Sequence, residues 1–180
     1  MIVKLKNVRL AFPNLFTPQS VNGSEPKFNA VFLIDPNNPV VKEIEAAMLD
    51  VAKAKWGAKG QAQFDAAKKG GKVCLRDGAD KPDYDGFEGN LYLSASNATR
   101  PMVLDRDRSP LTQADGRPYA GCYVHGSVEI WAQDNQYGKR INASLRGVQF
   151  FKDGDSFAGG TPVSEDEFDD LGEGVEDDLA

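Results

Sequence analysis

The sequence predicts a mainly β protein: a small barrel of five principal strands, with one or two helices inserted between strands and a disordered acidic C-terminal tail. Three observations carry that expectation. Short runs of alternating apolar and polar residues recur along the chain, separated by long loops rich in Gly, Pro and Asp. One segment has a sustained helical stripe, followed by a shorter helical stretch. The charges, finally, are segregated. Of 27 Asp and Glu, eleven fall between Asp153 and Ala180, where there is no Lys or Arg. The sixteen acids left in residues 1–152 face all 21 Lys and Arg, so a body of +5 carries a tail of −11. Blocks of like charge tend to be disordered interaction tails.

Val3, Leu5, Val8, Leu10 and Phe12 alternate with polar residues, and their parity changes near Asn7, which predicts a long first strand with a bulge, broken at Pro13-Asn14 and Pro18. Lys27–Ile34 is the second strand, closed by Asp35-Pro36. Asn38-Pro39 supplies a capping residue and an N-terminal proline for a helix whose Val40, Val41, Ile44, Ala47, Met48, Val51 and Ala52 form one apolar stripe. A shorter helix, about 61–69, ends at Gly70-Gly71. Residues 76–90 and 99–118 read as polar loops. Between them, Leu91–Ser96 is the third strand, with Leu91, Leu93 and Ala95 on one face. Gly121–Ala132 and Arg140–Phe151 form a closing hairpin around Asn135–Gly138. After Asp153 the alternation stops. A segment so polar cannot bury enough apolar area to offset its ordering entropy. The expected organisation is a domain over 1–152 and a tail over 153–180.

Several function classes find no support. No apolar run approaches the ~18 residues of a membrane span, and the N-terminus lacks the pattern of a signal peptide. Cys74 and Cys122 are too few for a metal knuckle and read as free thiols in a reducing cytoplasm, a disulfide being the open alternative. There is no phosphate-binding Gly-rich loop, no Gly-x-Ser-x-Gly and no His-Glu-x-x-His, and His125 is the only histidine. No metal or cofactor is expected. Asp105-Arg106-Asp107 resembles a fragment of a carboxylate metal site, but its interleaved arginines favour a solvated turn.

What is left is a binding surface. Holding a single nucleic-acid strand takes cations for phosphates and aromatic faces for unstacked bases. Tyr92, Tyr123 and Trp131 fall on the non-core parity of their strands, with His125 between the last two. Arg140 and Arg146 share the polar parity of the final strand, Lys4 and Lys6 that of the first. With Arg100, these nine residues are the candidate DNA contacts. A catalytic set is not expected.

Val8–Phe16, Lys27–Pro36, Arg100-Pro101, Tyr119–Val124 and Leu145–Phe150, followed by the acidic end, resemble in order and spacing the phage-encoded single-stranded DNA-binding proteins with an oligonucleotide-binding (OB) barrel. The resemblance spans nearly the whole chain. It implies an OB fold, sequence-independent binding of single strands in phage replication and recombination within the bacterial cytoplasm, and a tail that contacts replication proteins and competes with DNA. The tail residues concerned are Glu165, Asp166, Glu167, Phe168, Asp169, Asp170, Glu176, Asp177 and Asp178. Related tails often finish on an aromatic residue, whereas this one ends Asp177-Asp178-Leu179-Ala180. A homodimer is compatible with such a chain. Two other readings stand beside it: a metal-dependent recombination nuclease using Asp105 and Asp107, and an assembly protein that docks a basic partner through its tail.

Overall fold

A computed structural model describes residues 1–20 and 23–157. In chain order the elements are β1 (Ile2–Gln19), β2 (Lys27–Ile34), α1 (Val40–Trp56), α2 (Gly60–Lys69), β3 (Leu75–Asp77), β4 (Leu91–Asn97), β5 (Met102–Leu104), β6 (Tyr123–Asn135) and β7 (Gly138–Lys152). The first half of β1 pairs with β6 and its second half with β2, both antiparallel. β2 pairs in turn with β4, and β6 with β7, again antiparallel. A parallel contact between Ser96 and Ser144 joins β4 to β7 and closes the ring β1–β2–β4–β7–β6. This is the expected five-stranded OB-like barrel, with the helices between its second and third strands.

Inward positions alternate along every barrel strand. Leu5, Leu10, Phe32, Ile34, Leu93, Val124, Ile130, Ile141 and Leu145 are essentially inaccessible to solvent. The α1 stripe adds Val40, Ile44, Ala47, Met48 and Ala52 to that core, while Val41 and Val51 pack at its margin. Asn38 Oδ1 accepts the Val40 N–H at 3.0 Å, as a capping residue should. At Gly60 a Cβ would collide with the backbone of Lys53, so the glycine allows α2 to turn back closely against α1.

The bulge in β1 lies where the parity change put it, between Leu5 and Val8, with Asn7 at φ 54°. The strand does not break at Pro13. It passes through a second bulge between Ala11 and Asn14 and continues to Gln19, because the ladder is already interrupted where proline has no N–H to donate. Two short strands lay hidden in the predicted loops: β3, which pairs with β4, and β5, which runs parallel to β7. At three residues each they are too short for a period to register.

A second, smaller apolar cluster sits on the outer wall. Ala11, Leu33, Phe87 and Tyr92 are buried there, with Phe12, Val31 and Phe157 packed around them. The 78–90 loop folds back over β4 and β2 to cover it.

Candidate nucleic-acid interface

Beyond that cluster the outward residues of β2 and β4 are short: Asn29 and Val31 on one strand, Ser94 and Ser96 on the other. Bulkier side chains rise on both sides of this low floor, and together they enclose an open cleft of about 640 Å³. One wall is the β6–β7 ribbon, which contributes Trp131, Gln133, Arg140 and Asn142. Phe12 from β1 and Arg76 from β3 line the other parts of the cleft, and Lys27 its β2 end. The ribbon is held from behind by Trp56 Nε1, which donates to Asp134 Oδ2 at 2.9 Å. Within it, Asn142 Nδ2 donates to Gln133 Oε1 at 2.9 Å. Trp131 is 41% exposed, unusual for so large an apolar surface.

Lys27, Arg76 and Arg140 make no ion pair among the described residues. The Arg76 guanidinium stands over the Tyr92 ring, 5.1 Å from its centroid, and its Nε is buried without an acceptor. A buried donor left unpaired is costly. The rest of the Arg76 side chain lines the cleft. The cleft thus offers cations that no acid among the described residues pairs, an exposed indole and a row of small polar side chains.

Of the nine residues singled out from sequence, Trp131 and Arg140 line this cleft. Tyr92 does not: it is 3% exposed. Its parity does point it out of the barrel, but Phe87 of the 78–90 loop covers it, ring centroids 5.1 Å apart. The expectation of an exposed stacking face at Tyr92 is corrected to that of a buried packing residue. Lys4, Lys6 and His125 line a separate, largely apolar groove with Met102 and Leu104. His125 stacks on Phe151 at 4.6 Å and accepts the Asn7 N–H at Nδ1. Burial, and then the charge of Lys6, lower its pKa, which favours the neutral ring. Arg146 pairs with Glu129 at 3.7 Å on the outer wall, outside the cleft lining. Arg100 lies over Phe28 and donates to the Phe16 carbonyl at 3.2 Å. Tyr123 is half-buried between Arg9 and Lys152. The tail candidates Glu165–Asp170 and Glu176–Asp178 lie outside the described residues.

Sequence reasoning missed Phe12, Lys27 and Arg76. Lys27 opened a recognised strand, but the other two belong to a bulge and to an unpredicted strand. Asp105 does not stand free for metal. Its carboxylate takes both Nε and a terminal nitrogen of Arg117, which holds its pKa below the ordinary range, with the Arg106 N–H assisting. Cys74 and Cys122 are free and buried, and burial pushes their thiols up to about 12 and about 11.

Comparison with known proteins bears on the family and the fold. A family model described as the single-stranded DNA-binding protein of Enterobacter phage Enc34 matches residues 1–180. Putative protein p50 of Acyrthosiphon pisum secondary endosymbiont phage 1 is 51% identical over 183 residues, covering 99% of this chain and 98% of the relative. The Enc34 single-stranded DNA-binding protein, solved in complex with single-stranded DNA, superposes with a TM-score of 0.74 at 30% identity, covering 86% of this chain and 88% of that one. The gp2.5 protein of bacteriophage T7 shares the fold, with a TM-score of 0.58 at 12% identity, covering 94% of this chain and 97% of that one.

Proposed function

The chain belongs to the family of the Enterobacter phage Enc34 single-stranded DNA-binding protein, and from that premise we propose that it binds single-stranded DNA in the cleft over β2 and β4. Barrels of this topology bind oligonucleotides on their second and third strands, between the connections that follow the first and fourth strands. In this chain those strands are β2 and β4, and the ribbon after the fourth is the β6–β7 hairpin. The observation that carries the reading is the coincidence of that face with a cleft holding Trp131 and three cations that make no ion pair among the described residues, Lys27, Arg76 and Arg140.

In this reading the bases stack on Trp131, and Arg140 and Lys27 neutralise phosphates. Gln133, Asn142 and the floor serines supply hydrogen bonds that any base can accept. Stacking of this kind is tolerant of base identity, so the protein coats single strands during phage replication and recombination without sequence preference. The acidic tail recruits replication and recombination proteins. It also competes with DNA for the cations of the body.

Titration of the purified protein against labelled single-stranded oligonucleotides of unrelated sequence, with duplex as control, tests the reading. Preferential binding to every single strand at moderate salt is expected. Equal affinity for duplex and single strand would overturn it.

A further inference from the structure

Alternation along β1 puts Leu10 in the barrel core and Ala11 on the outer wall, so the next side chain should turn inward. Phe12 does not. Its backbone has φ 47°, a left-handed conformation rarely adopted by a bulky residue, at the bulge between Ala11 and Asn14. The ring therefore stays on the outer wall, half-buried, at the rim of the cleft. Tyr84 meets it edge-on at 5.0 Å and Phe87 at 5.9 Å, so it is braced from the side and below. Backbone strain of this kind concentrates where function requires a particular placement. A phenylalanine turned out of the barrel core, packed only along one side on the outer cluster and lining an open cleft beside cations, is placed to meet a ligand. Lys27, Arg76 and Arg140 line the same cleft and make no ion pair among the described residues, so phosphates can be held beside the ring.

We infer that Phe12 is a second base-stacking platform, set across the β2–β4 floor from Trp131, and that a single strand bound in the cleft places separate bases on the two rings. This rests on the cleft reading above and deepens it. Phe12 comes from β1, which flanks β2, and Trp131 from the β6–β7 ribbon, which flanks β4, so a strand that meets both rings has to span the floor. Contact with Phe12 begins only when the strand is long enough to cross.

The test is binding of labelled oligothymidylates from about 4 to 16 nucleotides, the range of site sizes for barrels of this kind. The full-length protein is compared with Phe12→Leu, Phe12→Tyr, Trp131→Ala and Arg140→Gln, with thermal melting as the folding control. Leucine keeps an apolar side chain on the outer cluster and removes the π-face, whereas tyrosine keeps the face. Phe12→Leu should bind the longer strands about 5- to 150-fold more weakly, the range for loss of one stacked base, and the shortest strands like the unaltered protein. Phe12→Tyr should restore binding. Affinity of Phe12→Leu equal to the unaltered protein at every length would overturn the platform, whatever Trp131→Ala does. Weakened binding by Phe12→Leu with Trp131→Ala and Arg140→Gln both neutral would instead sink the placement of DNA across the ribbon wall and leave Phe12 as a contact.

Discussion

The guanidinium of Arg9 lies over the ring of Phe157, 4.3 Å from its centroid, and ties the first strand to the last described residues. Arg9 also donates to the carbonyls of Gly121 at 2.9 Å and Asp155 at 2.7 Å. The Tyr119 hydroxyl donates to Asp153 at 2.6 Å, and the Phe157 N–H to the Ala120 carbonyl at 3.0 Å. Gly121, at φ 105°, leaves no room for a Cβ against the Asp155 carbonyl. The packed body thus runs on through Phe157, five residues past the boundary read from sequence.

A protein cut after Phe157 should melt like the full-length chain, and one cut after Lys152 should not. Losing the hydrogen bonds of Arg9 to Asp155 and of Tyr119 to Asp153, together with the Phe157 packing, should cost about 2–4 kcal/mol. At about 2–4 °C per kcal/mol for a domain of this size, Tm should fall by about 4–16 °C. Thermal unfolding of the two truncations decides it.

The 1–157 protein is also the correct probe of the tail. Nine carboxylates follow Phe157, with no cation among them. Tethered this way they act at roughly millimolar effective concentration. Their removal should tighten single-strand binding, most at low salt, because such attraction is screened within ~10 Å at 0.1 M. Identical affinities of the two proteins at low and high salt would rule out competition.

If Lys27, Arg76 and Arg140 each neutralise a phosphate, log affinity should fall with log salt at a slope near −2, about −0.7 per contact. Arg140→Gln should flatten the slope by about 0.7. Lys4→Gln and Arg146→Gln lie off the cleft and should leave it unchanged. A salt series on these variants separates the two faces of the barrel.

Trp131→Ala should weaken single-strand binding about 5- to 150-fold with the fold intact, as expected for one stacked base. Tyr92→Ala should instead destabilise the protein by about 3–5 kcal/mol, and Leu93→Ala by about 2–5 kcal/mol, since both side chains are buried. Denaturant melts alongside the titrations distinguish the two outcomes.

The thiols of Cys74 and Cys122 have folded pKa values raised by burial above their ordinary value near 9. A raised pKa contributes stability that is present below the unfolded value and lost as pH rises through the folded one. Stability should therefore decline from about pH 9 towards pH 11, and a Cys122→Ser variant should decline less steeply over that interval. Below pH 8 both thiols should resist alkylation until the protein unfolds.

How much was legible depended on range. Period-two alternation named the five barrel strands, and the Val40–Ala52 stripe named α1, because each pattern is written within one element. The parity break at Asn7 located a bulge by the same local logic. Charge segregation marked the tail, since composition needs no partner. Trp131 and Arg140 were legible as cleft residues because they lie on the two strands of one hairpin, where register follows from the turn. β3 and β5 were not legible. Three residues hold no period, and both strands exist only because β4 and β7 offer free edges.

By itself, then, the sequence determined which residues face the barrel interior wherever the strands run regularly, how many strands close it and where the charge resides. Tertiary structure decided what lies against the outside. Tyr92 points outward and is buried, because a loop thirteen residues long folds over it. Phe12 should point inward and is outside, because a bulge turns it. Lys4 and Arg140 share a sign and a polar parity yet face different grooves. Parity is a property of one strand. Exposure depends on what other segments pack against that strand, and the packing is set by contacts between residues far apart in the chain.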